Sequence, residues 1–201
     1  IKQPKMKKLF LAIIIVIVGA LVLNAIDRIP TDEPTANANE YSGELEREYI
    51  SPVKILWTQH GELISNIDYL LREGNGQADL TNSHICVVKS TEKEHPAILL
   101  DFGKELHGGL QIVTGMPGDH TPVRIRVRFG ESASEAMCEI DGKNGATNDH
   151  AIRDFETTLP WLGTREWGNS GFRFVRIDLL DDNRELHLKE IRAISIMRDL
   201  A

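Results

Sequence analysis

The chain has 201 residues, of which 41% are hydrophobic and 26% charged, and its formal net charge is -7. A length of this order holds one well-buried core, and the composition excludes wholesale disorder. The acidic balance, with no run of Lys or Arg beyond the extreme N-terminus, excludes a phosphate-binding stripe and with it nucleic acid as a partner.

Lys5, Lys7 and Lys8 surround Met6, and an uninterrupted apolar run follows from Leu9 to Leu23. A cationic cluster before an apolar run is the pattern of an export signal. Residues 1–5 therefore read as an upstream remnant and residues 6–26 as a signal peptide or membrane anchor. The run is shorter than the ~20 residues that span a bilayer, and Val18-Gly19-Ala20 offers a signal-peptidase site, which favours cleavage over retention. In both cases the lysines stay in the cytoplasm, and everything after Ile26 is exported to the periplasm or the extracellular side. Contact with a membrane is then confined to this segment. Residues 27–48 carry Pro30, Pro34 and Gly43 among polar and acidic residues and read as a solvated linker. Residues 49–201 remain as the folded domain.

Within that domain Leu63, Ile64, Ile67, Leu70 and Leu71 recur at helical spacing before Gly74, which predicts one short helix over 63–72. Ile98, Leu100 and Phe102 then alternate with Asp101. Gly103 marks a turn, and Leu110 and Ile112 resume beyond Gly108-Gly109, as in a hairpin-like pair. Val123, Ile125, Val127 and Phe129 alternate with Arg124, Arg126 and Arg128, the clearest period of two in the chain. Phe155, Thr157 and Leu159 repeat it until Pro160. From Phe172 to Leu179 the apolar positions change parity, as a bulge or a strand buried on both faces requires. A last apolar strand covers Ile191 to Met197. Short strands between Gly, Pro, Asn and Asp turns describe an all-β sandwich or jelly roll with one short helix, and they leave no room for βαβ repeats.

The chemistry-bearing motifs are few. Cys86 and Cys138 have no metal-ligand spacing, which argues against a zinc site; in an exported domain they form either a disulfide or two separate buried thiols. GxSxG, P-loop and HExxH motifs are absent from the sequence. His107-Gly108-Gly109 has the composition of an oxyanion-hole loop but lacks a nucleophile elbow, so it reads as a turn. Asp141, Asn144 and Asp149 gather oxygen ligands and glycines in one loop, suited to calcium or to ordinary turns. Trp161 and Trp167 flank a loop that also carries Asn169. Flat aromatic faces beside an amide match the apolar face and hydroxyls of a sugar ring, and they equally suit the covered end of a sandwich or a domain contact. The arginine row at 124, 126 and 128 reads as a solvated face, with an acidic glycan or a partner as the alternative.

Three stretches carry a family resemblance: Ile98 to Leu110 (ILLDFGKELHGGL), Arg126 to Glu131 (RVRFGE) and Gly171 to Arg176 (GFRFVR). In this order and spacing they resemble the N-terminal β-sandwich of bacterial α-L-rhamnosidases of glycoside hydrolase family 78. The resemblance implies a jelly-roll accessory domain related to galactose-binding-like folds. It also implies a following helical α/α barrel whose glutamates cleave terminal rhamnose with inversion. The sequence stops at Ala201, where such a barrel is expected to begin, so no catalytic residue carries over to this chain. The expected role is non-catalytic. The domain would pack on the catalytic barrel and contact rhamnose-containing or pectic glycans through Trp161, Trp167 and Asn169, with no cofactor unless calcium binds at 141–149. A free-standing carbohydrate-binding protein is the alternative. A self-sufficient hydrolase would need two opposed carboxylates in one pocket.

Overall fold

The structure, a computed structural model, describes residues 45–81, 83–139 and 152–198. Residues 6–26, read above as an export signal, most of the stretch read as a linker and the calcium candidates Asp141, Asn144 and Asp149 lie outside the described residues. No helix among the described residues is long and apolar enough to cross a membrane. The described residues form nine strands in chain order: β1 (Leu45–Ile50), β2 (Lys54–Gln59), β3 (Ile64–Ser65), β4 (Cys86–Lys89), β5 (Ala97–Thr114), β6 (Val123–Gly130), β7 (Asp154–Leu159), β8 (Gly163–Leu179) and β9 (Glu185–Arg198). Among the described residues one α-helix, α1 (Ala133–Met137), lies between β6 and β7.

All pairings are antiparallel, in the order β3-β4-β9-β5-β8-β6-β7, with β1 added on β9 and β2 on β5. The long strands β5 and β8 serve two layers. Residues 97–101 of β5 pair with β2 and with 174–178 of β8, which in turn pairs with β6. Residues 108–114 of β5 pair instead with β9, while 106–114 remain beside 163–172 of β8. Val123, Ile125, Val127 and Phe129 from β6 share one buried cluster with Leu188, Ile191 and Ala193 from β9. The fold is thus an all-β antiparallel sandwich with one short helix, closed around a single core.

The passage between layers explains two features of the sequence. Asp101 pairs with Phe174 and Leu106 with Phe172, so β5 advances five residues where β8 advances two. This bulge shifts the apolar parity of β8 between Phe172 and Val175. It also replaces the expected turn: β5 runs on through Gly103, which adopts φ 81° and donates its N–H to the Asp101 carboxylate at 2.7 Å. The expected hairpin at 103–109 is therefore one bent strand. His107-Gly108-Gly109 is not a turn either. A Cβ on Gly108 would collide with the Ile194 carbonyl, and one on Gly109 with the Trp167 carbonyl, so the glycines serve close approach of neighbouring strands.

The expected helix over 63–72 is divided into 3₁₀ turns at Gly61–Leu63 and Ile67–Leu71, with β3 between them. Asn66 in the left-handed region (φ 58°) interrupts any continuous helix, and the Ile64 to Val88 pairing takes its place. For so short a segment, helix nucleation costs more than local hydrogen bonds return. The α-helix forms instead at Ala133–Met137, where the Ser132 hydroxyl accepts the Glu135 N–H at 3.2 Å; Ser132-x-x-Glu135 is a capping signature. The sheet also begins at Leu45, inside the segment read as linker. The LEREYI sequence of β1 is mostly exposed, and backbone pairing with β9 rather than an apolar pattern makes it a strand.

The arginine row is only partly solvated. Arg124 is exposed and pairs with Asp181, Arg126 reaches Asp154 and Glu139, and Arg128 is 3% exposed, bonded to Asp178 at 2.9 Å and Glu139 at 2.9 Å. Facing carboxylates neutralise the row and allow it to be covered. The Arg126 guanidinium holds the Glu139 carboxyl below its ordinary value.

Both cysteines are free thiols, so no disulfide joins them; Cys86 is fully buried whereas Cys138 is partly exposed. Burial pushes the Cys86 thiol up to about 12. Ellman's reagent is therefore expected to label one thiol in the native protein and both after unfolding in guanidinium. Equal native labelling of both would contradict this placement.

Candidate functional site

Trp167 sits on β8 opposite Leu110 of β5, with one part of its ring packed on the core. Phe155 of β7 lies beside it at 6.4 Å between centroids, the planes 45° apart. Together with Ile152, Gly168 and Asn169 these rings line a largely apolar cleft of about 350 Å³. Gly168 makes the cleft possible. At φ 100° it occupies backbone space that favours glycine, and a Cβ there would lie 3.2 Å from both Gly109 Cα and the Phe129 ring. Ile152 is 62% exposed at the rim, and Asn169 is exposed with its amide at the cleft edge. The arrangement offers a flat aromatic face for C–H groups and an amide that both donates and accepts hydrogen bonds.

Trp161 does not join this cleft. It lies in the β7–β8 turn and stacks on His120 at 4.7 Å with the planes 28° apart. Of the three candidates, the cleft brings Trp167 and Asn169 together, and the structure separates the third. Ile152 and Phe155 were not foreseen as lining residues, because they reach the cleft through the β6–β7–β8 arrangement and not through a local motif.

A second, polar cavity of about 470 Å³ opens between the 69–84 segment and the start of β9. Tyr69 meets His84 edge-on at 5.2 Å, and the Arg72 guanidinium lies 4.3 Å from the Tyr69 ring centroid. Glu190, 6% exposed, lines the cavity and accepts the Gly76 N–H at 2.9 Å, so its carboxylate holds the 74–76 backbone against the sheet. No sequence pattern pointed here, since the contributing segments are more than a hundred positions apart.

Beside it, side chains in register across the outer face of the sheet form a polar ladder. Glu166 of β8 is opposite Gln111 of β5, which is opposite Arg192 of β9. Arg192 Nε donates to Gln111 Oε1 at 2.9 Å, and Gln111 Nε2 donates to Glu166 Oε1 at 2.7 Å. Arg47 and Tyr49 of β1 close over them, donating to Glu166 at 2.6 and 3.2 Å. Burial alone would raise the Glu166 carboxyl, but the hydrogen bonds from Arg47, Gln111 and Tyr49 outweigh it and hold it below its ordinary value.

Compared with known proteins, the chain matches no family model and no curated protein. Among solved structures it is similar to a rhamnosidase from Klebsiella oxytoca with rhamnose bound, at a TM-score of 0.54 and 14% identity, over 80% of this chain and 31% of that one. It is also similar to a GH78 family rhamnosidase of Bacillus sp. GL1 (TM-score 0.47, 15% identity, 68% of this chain and 13% of that one). The CBM32 of AlyQ in complex with 4,5-unsaturated mannuronic acid is a further match (TM-score 0.46, 11% identity, 75% and 98%). The chain thus spans about a third of the length of the Klebsiella rhamnosidase, and its likeness to that enzyme is one of fold, the β-sandwich described above.

Proposed function

We propose that the chain is a non-catalytic, carbohydrate-binding accessory domain of an α-L-rhamnosidase-like glycoside hydrolase, with a catalytic barrel as its partner and residues 6–26 directing its export. The cleft at Trp167 carries the saccharide contact in this reading. The observation that supports it most directly is the meeting of two aromatic rings and an exposed amide in one open cleft, with Phe155 on β7 and Trp167 and Asn169 on β8. A sugar ring would lay its C–H face on Trp167 and exchange hydrogen bonds with Asn169. The fold match to a rhamnosidase is consistent with this role, and rhamnose-containing or pectic glycans are the ligands to try first.

Calorimetric or NMR titration of the protein with L-rhamnose and rhamnose-containing oligosaccharides tests the proposal. Trp167→Ala is expected to weaken binding about tenfold, equivalent to ~1.4 kcal/mol. Because Trp167 also packs on the core, Asn169→Ala provides a second variant that leaves the packing intact and should weaken binding several-fold. Saccharide binding unaffected by both substitutions removes this cleft as the site.

A further inference from the structure

At the end of the sandwich formed by the loops after β2 and before β5, His60, Glu62 and Glu94 converge. One ligand atom from each lies within 4.8 Å of the other two, and His60 Nδ1 is 3.5 Å from Glu62 Oε1. We propose that these three side chains form a binding site for a divalent transition-metal ion of the zinc class. The inference is independent of the saccharide reading.

The donors come from two loops that the backbone holds in place. His60 adopts the left-handed region (φ 49°, ψ 48°) and its carbonyl accepts the Leu63 N–H at 2.9 Å, closing the 3₁₀ turn that carries Glu62. Glu94 closes the opposite loop: its N–H donates to the Thr91 hydroxyl at 3.0 Å, and its carbonyl accepts the Thr91 N–H at 3.0 Å. Gln59 Nε2 ties the loops together by donating to the His95 carbonyl at 3.2 Å. His95 itself turns away to Asp182 and the Leu179 carbonyl, so it does not compete for the cluster.

The electrostatics favour a cation. Two carboxylates converge here, and among the described residues neither forms an ion pair with a Lys or Arg. A divalent ion would neutralise both and connect the two loops beyond the Gln59 to His95 hydrogen bond and the β2–β5 pairing behind them. Donor chemistry selects its class. Calcium and magnesium prefer all-oxygen shells, whereas an imidazole nitrogen with two carboxylates suits zinc, cobalt or manganese, with water completing the shell at this open position.

The test uses the full chain without a polyhistidine tag, stripped of metal by a chelator, and titrated with Zn²⁺ and separately with Ca²⁺. His60→Ala and Glu94→Gln change half-buried side chains and are expected to keep the parent's circular dichroism, and each variant's melting temperature with metal is read against its own value in chelator. The parent should take up one equivalent of Zn²⁺ that each variant binds at least tenfold more weakly, and only the parent should show a rise in melting temperature with added Zn²⁺. Co²⁺ should give a visible absorption spectrum in the parent that both variants lose. Equal Zn²⁺ uptake by parent and variants overturns the site, and a thermal response to Ca²⁺ that matches or exceeds that to Zn²⁺ overturns its assigned metal class.

Discussion

Phe172→Ala is expected to cost about 3–5 kcal/mol, a large part of the ~5–15 kcal/mol that stabilises a domain of this size. Phe172 is completely buried at the point where β8 leaves one layer for the other. Its ring is 4.7 Å from that of Phe129 and 6.0 Å, edge-on, from that of Phe102, so three rings from β5, β6 and β8 fill the corner. Deleting one leaves a void that the paired strands close only in part, and the transfer and cavity contributions add. In urea the transition midpoint should fall while the slope stays constant, since the surface exposed on unfolding barely changes. Phe172→Leu, which keeps most of the volume, should recover a substantial part. A midpoint in the alanine variant close to that of the parent would show that the corner is not a packing centre.

The second large effect is expected at Arg192→Met. Arg192 is 9% exposed, bonds Gln111 and the Gly74 carbonyl, lies 3.5 Å from Glu190 and places its guanidinium 4.4 Å from the Tyr49 ring centroid. Methionine keeps the length and apolar stem but leaves a buried carboxylate and a buried amide without their cation. Removal of one partner from a buried ion pair costs about 3–5 kcal/mol, and the Gly76 N–H that still serves Glu190 places the expected loss near 3 kcal/mol. The loss should be local as well as global, because Arg192 and Glu190 hold the backbone at 74 and 76 against the sheet. Hydrogen exchange at residues 74–77 should accelerate more than in β6. Adding Glu190→Gln should recover part of the stability, since a neutral amide is cheaper to bury than an unpaired carboxylate. A single variant within ~0.5 kcal/mol of the parent, or a double variant less stable than the single, would contradict this account.

The glycines that allow β5, β8 and β9 to approach one another also build the Trp167 cleft. Gly108 and Gly109 bring β5 against both neighbours, and Gly168 sets Trp167 beside Phe155. Packing and candidate site are therefore one construction, and the aromatic face is presented from a stretch of β8 paired with β5.

Strand β6 was legible from its residues because it buries one face, and a period of two follows directly from the pleat. The all-β class was legible for the same reason, whereas Trp167 and Asn169 were named with Trp161 from residue type and nearness in the chain alone. The sequence alone therefore determined the class of fold and the inward residues of β6, and it named two of the five residues that line the candidate cleft. Tertiary structure decided the rest. It joined two apolar runs into the single bent strand β5, since only pairing partners distinguish a bulge from a turn. It buried Arg128 beside carboxylates that lie far away in the chain. It also separated Trp161 from Trp167, because six residues of extended chain span ~20 Å. It assembled His60, Glu62 and Glu94 from two loops. Periodicity records which way a side chain faces, but what it meets there depends on strand pairing over long sequence separations, which no local pattern encodes.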